Sequence, residues 1–144
     1  MGELAPNFSG ITISGDSLSL VSFRGNIVLV DFWASWNQPS RRNNLATRKI
    51  LEKYRALSLR KKRKFLVVQI SIDTKPDLLT TAISKDNLYW KTQLCDYKGW
   101  ESKYVEQFMI RRVPANFLID TAGYIIAKDI WSFTLDTTIQ RLTQ

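Results

Sequence analysis

Apolar and polar residues change period several times along the chain, and each change marks an element. From Phe8 to Leu20 they alternate around Ser14-Gly15-Asp16, the two-residue period of a β-hairpin with a glycine turn. Arg24-Gly25-Asn26 is another turn, and Ile27 to Phe32 is then a near-continuous apolar run, the pattern of a strand covered on both faces. A helix is predicted from Gln38 to Leu59. Ala46, Ile50, Leu51, Tyr54 and Leu57 share one side of a wheel with about 3.6 residues per turn, and Arg41, Arg48, Glu52 and Arg55 share the other. Leu45 falls outside the core stripe, which suits a local surface or a partner contact. Phe65 to Ile72 predicts a second buried strand ending at Asp73. Lys75 to Lys85 predicts a helix with Pro76 in its first turn. Glu101 to Met109 predicts a short helix. Ala115 to Ile119 and Tyr124 to Lys128 predict strands joined by Asp120-Thr121-Ala122-Gly123, with glycine where a positive φ is needed. Asp136 to Leu142 predicts a closing helix. This order predicts an α/β fold: a mixed central sheet flanked by helices, with an N-terminal hairpin. No linker or repeat divides residues 1–144, so one domain is expected.

Composition narrows the chemistry. At 44% hydrophobic residues in 144, the chain can bury a core without metals or disulfides. It has one cysteine, Cys95, and no histidine. An intramolecular disulfide, a cysteine-rich zinc site and every histidine-dependent nucleophile arrangement are thereby excluded. No metal or cofactor is expected. The net charge is +8, which suits an acidic partner, an anionic membrane surface or simply a basic solvated face. Its sharpest feature is Arg60-Lys61-Lys62-Arg63-Lys64, in the connection between the first helix and the second buried strand. Such a connection reads as a solvent-facing loop, and without interleaved aromatics no nucleic-acid partner is expected. No apolar stretch approaches the roughly 20 residues of a membrane span. Membrane association would therefore need a signal or anchor beyond this sequence.

Residues 28–41, VLVDFWASWNQPSR, resemble the active-site segment of thioredoxin-like proteins of the TlpA/ResA type, within the AhpC/TSA–redoxin superfamily. The blocks LAPNFSG, SLVSFRGNIVLVDFWASW, VVQISID and VPANFLIDTAGYIIA follow in family order, and LYW and KGWES lie between them. The resemblance implies the thioredoxin fold, thiol-disulfide oxidoreductase ancestry and a periplasmic or otherwise exported location, with the export signal absent from this sequence. In that family the segment reads Trp-Cys-x-Pro-Cys at a helix N-terminus. The positive end of the helix stabilises the first thiolate, and the second cysteine resolves the mixed disulfide. Here Asn37 and Ser40 stand at the two cysteine positions, so no catalytic residue is expected. Asn37 is suited to cap the helix and Pro39 to its first turn. The family often has glutamate where this chain has Asn43, and a kinking proline where it has Leu45. Loss at several positions reads as a natural departure better than as a replaced pair of cysteines, for which serine or alanine is the usual choice.

The resemblance implies two roles for what remains. Val113-Pro114 matches the family's cis-proline loop, whose backbone pairs with extended peptides. Trp36, Asn37, Gln38, Pro39, Val113 and Pro114 would line a shallow groove for a peptide or protein; alternatively, Pro114 serves the turn alone. Disulfide exchange, by an oxidoreductase seen here as a cysteine-less variant or by a member working with a cysteine-bearing partner, and a structural role in an assembly, are the competing functions. Cys95 reads as a small half-buried residue near a strand end, without the neighbours of an activated thiol. Trp33, Trp90, Trp100 and Trp131 are expected in or half in the core, with Trp33 and Trp36 flanking the segment. Asp31 follows the buried run Ile27 to Val30, and in thioredoxin-like folds an acid near this strand can accept the dithiol's proton. Without a dithiol, a surface or turn role is equally expected of it.

Overall fold

The computed structural model describes residues 2–58 and 64–143, the side chains of residues 56–58 excepted. The side chain of Leu57 and the basic residues from Arg60 to Arg63 lie outside the described residues; Lys64 is exposed.

The hairpin is two short strands, β1 (Ser9–Ile11) and β2 (Ser17–Ser19), with Gly10 opposite Leu18. The central strand β3 (Ile27–Trp33) is buried along its whole length. It leads into α1 (Gln38–Ser58), β4 (Phe65–Ser71) and α2 (Pro76–Lys85). A two-residue strand, β5 (Gln93–Leu94), then precedes α3 (Lys103–Phe108). The hairpin β6 (Ala115–Ile119) and β7 (Ile125–Lys128) follows, and α4 (Ser132–Thr143) closes the chain. The main sheet has the order β5-β4-β3-β6-β7, with β3, β4 and β5 parallel and β6 antiparallel to both of its neighbours, β3 and β7. This is the mixed α/β architecture expected from the pattern.

Strand alternation sorts the two cores. Val28, Val30 and Phe32 face the hairpin and α3, against Phe8, Leu18, Tyr104 and Phe108. Ile27 and Leu29 face α1 and α4, against Ile50, Leu51, Tyr54, Leu135 and Ile139. Burial on both faces is why β3 reads as an unbroken apolar run rather than an alternating one.

Four details depart from expectation. β5 is too short to carry a pattern. A 3₁₀ turn, Gly99–Glu101, takes the place of the predicted start of α3. α4 begins four residues before Asp136, at Ser132, the residue after Trp131. The first residues run beside β7, where the Glu3 carbonyl accepts the Ile125 N–H at 2.9 Å and Leu4 bridges Tyr124. Trp33 is buried and Trp90 and Trp131 are half-buried, but Trp100 is exposed, which corrects its core assignment. Its 3₁₀ turn holds the ring outside the packed layers.

Candidate functional site

Beyond β3 the chain passes through Ala34 and Ser35 to Trp36, which is 57% exposed. Asn37 then starts α1. Its Oδ1 accepts the Ser40 N–H at 2.8 Å, and its carbonyl accepts the Arg41 N–H at 3.1 Å. Asn37 is thus the helix N-cap, the geometry for which asparagine is among the best residues. Gln38 and Pro39 are exposed in the first turn. Ser40 points inward and is fully buried, and its Oγ has no hydrogen-bond partner among the described residues.

The loop before the helix is clasped by Asp73, at the end of β4. Its carboxylate accepts the Ser35 N–H and the Ser71 hydroxyl, each at 2.8 Å, and also the Ser35 hydroxyl. Arg41 reaches back from α1 to the Ser35 carbonyl at 3.0 Å while pairing with Asp86 beyond α2. The Asp86 carboxylate raises the Arg41 pKa further above its ordinary value. Sequence reasoning noted Asp73 only as a strand end and did not single out Asp86. Their signal was an acid just past a buried strand and another just past a helix.

Val113 and Pro114, joined by a cis peptide bond, are half-buried and lead into β6. Ala115 lies opposite Phe32, so these residues meet the sheet beside the exit of β3. Trp36, Asn37, Gln38 and Pro39 leave from that same end. No hydrogen bond among the described residues joins the two sets.

Asp31 is fully buried at the middle of β3, on the face covered by α1. The surface or turn role is thereby corrected, because alternation turns this side chain into the layer beneath the helix. It lies in a polar row crossing four strands: Gln93 opposite Gln69, Gln69 opposite Asp31, and Asp31 opposite Asn116. The Gln69 amide donates to Asp31 Oδ2 and to Asn44 Oδ1 of α1, both at 2.9 Å, and Gln93 donates to Gln69 Oε1 at 2.7 Å. Asp31 Oδ1 and Asn44 Nδ2 have no partner among the described residues. Desolvation pushes the Asp31 carboxyl up to about 7, against the opposing pull of the Gln69 amide. Sequence reasoning did not single out Gln69, Asn44 or Gln93.

Cys95 is half-buried just past β5. Its thiol lies 3.4 Å from the Asp73 carbonyl, and its sulfur accepts the Tyr97 N–H at 3.3 Å. Burial pushes the Cys95 thiol up to about 11, so at neutral pH it is protonated and a poor nucleophile. Among the described residues, no cluster of acidic or cysteine side chains could hold a metal ion. None of the helices there is long and apolar enough to cross a membrane.

Comparison with known proteins gives a consistent result. The model of the AhpC/TSA family matches residues 1–128. The thioredoxin-like protein YneN of Bacillus subtilis is 27% identical over 141 residues, covering 98% of this chain and 78% of its own. Thiol-disulfide oxidoreductase ResA of Bacillus cereus is 23% identical, covering 99% of this chain and 79% of its own. A solved thiol-disulfide oxidoreductase from Bacteroides fragilis superposes with a TM-score of 0.84 at 33% identity, over 97% of this chain and 99% of that one.

Proposed function

The chain belongs to the AhpC/TSA family and has the thioredoxin fold of its thiol-disulfide oxidoreductase relatives, and from that premise we propose that it binds an extended peptide or protein segment without exchanging disulfides. The observation that carries this reading is the use made of the two redox positions. Asn37 is committed to capping α1 and Ser40 is buried, so neither presents a nucleophile at the helix start. A dithiol cycle needs two sulfurs, and this chain has one, held protonated by burial past β5.

The binding half of the proposal rests on exposure and placement. Trp36, Gln38 and Pro39 are open to solvent, and Val113 and Pro114 lead into β6 beside them. An exposed indole next to backbone at a strand start suits strand-like capture of a peptide. Export is part of the same proposal, by likeness to the family.

Panning a random dodecapeptide display library on the chain tests it. Peptides enriched by the native chain should lose about tenfold or more in affinity to Val113→Asp, through desolvation of the new charge. Equal affinity for native and variant would remove Val113 from any peptide-binding surface.

A further inference from the structure

A cleft of about 740 Å³ opens at the other end of the sheet, where β3 and β4 begin. Phe65 lies opposite Ile27 there, a full strand of roughly 20 Å from the segment that follows Trp33. The walls are Leu51 of α1, Phe65 and Leu66 of β4, and Tyr89 and Trp90 from the segment before β5. The Tyr89 and Trp90 rings stand edge to face, with centroids 5.6 Å apart and planes at 84°. Arg55 lies over the Tyr89 ring, 5.5 Å from its centroid.

Three cations line this cleft, Arg55, Lys64 and Lys91, and no carboxylate does among the described residues. Lys64 and Lys91 are exposed, and neither takes part in an ion pair there, whereas Arg41, Arg48, Lys53, Arg112 and Lys128 all do. Trp90 is half-buried, and the part of its ring that is open forms a wall of the cleft. The volume falls within the range of small-molecule sites, about 300–1,000 Å³.

We propose that this cleft binds a small aromatic carboxylate, its flat ring against Tyr89 and Trp90 and its anionic group between Lys64 and Lys91. The aromatic walls select a ring by offset and edge contacts. The cationic rim selects an anion, and the wall of apolar residues rejects a bare inorganic one. The site is separate from the Trp36–Ser40 segment and does not depend on what that segment binds.

Titration of the chain with 2-naphthoate tests the assignment, by calorimetry and by the Trp90 indole resonance, identified through Trp90→Phe. One-to-one binding is expected with a Kd on the order of 100 μM. The Trp90 indole signal should shift with the same isotherm. The paired variant Lys64→Glu, Lys91→Glu should bind about tenfold more weakly or worse. Neutral 2-naphthylmethanol, which needs no variant, should show a similar loss. Absence of binding up to about 1 mM would overturn the proposal. So would equal affinity for the alcohol, an unmoved Trp90 signal, or indifference to charge reversal.

Discussion

Asp31 is a residue whose chemistry is strongly altered by its surroundings. It has no exposed surface, one oxygen bonded to Gln69 and the other without a partner. Its folded pKa of about 7 lies above the ordinary 3.8, so between those values the folded chain binds a proton that the unfolded chain releases. The contribution of Asp31 to stability is therefore fullest below about pH 4 and falls as pH rises towards 7, by up to about 4 kcal/mol in the limit. Asp31→Asn removes the titration while keeping an acceptor for Gln69. Denaturant unfolding should show the variant more stable than native by about 2 kcal/mol at pH 8, with the gain shrinking towards pH 4. A gain independent of pH would mean that Asp31 does not titrate as its burial implies. None of this was visible in the residues alone. Asp31 sits inside an apolar run that is buried on both faces, and the residues alone did not show the polar row of Gln69, Asn44 and Gln93 around it. Asn37 was the opposite case, since its capping role follows from residue type and position before a helix.

At the scale of elements, β3, β4, α1 and the β6-β7 turn were readable because each has a long pattern or a glycine with positive φ, as at Gly123. The short elements were not. β5 has two residues, and the start of α3 depends on Ser102, whose hydroxyl accepts the Tyr104 N–H at 3.2 Å. The hairpin was readable, but its docking was not. Gly10 of β1 packs against Tyr104 of α3 so closely that an added Cβ would overlap the phenol oxygen and come within 3.3 Å of the ring carbon bearing it. Tyr104 is buried and cannot swing away. Gly10→Ala should therefore destabilise the fold by about 2 kcal/mol, as overpacking does. Tyr104→Phe in the same chain should recover part of that loss by removing the overlapping oxygen. Thermal melts of the two single variants and the double variant close the cycle, and additive effects would show that the two residues do not touch in solution.

Across the whole molecule, the two ends of the sheet have separate characters. One carries Trp36–Pro39 beside Val113–Pro114, and the other carries an aromatic cleft rimmed by lysine and arginine. The net charge of +8 disfavours basic partners at either end. Around positions 37 and 40 stand a capped helix start, the Asp73 clasp on Ser35, and the buried acid at position 31. If inactivity lies in the two missing sulfurs alone, returning them should return chemistry. The most direct measurement is insulin disulfide reduction by the native chain and by Asn37→Cys, Ser40→Cys, with dithiothreitol as reductant. The native chain should not exceed the rate with dithiothreitol alone, and the double variant should exceed it by about tenfold or more. Turnover by the native chain above that background would contradict the account.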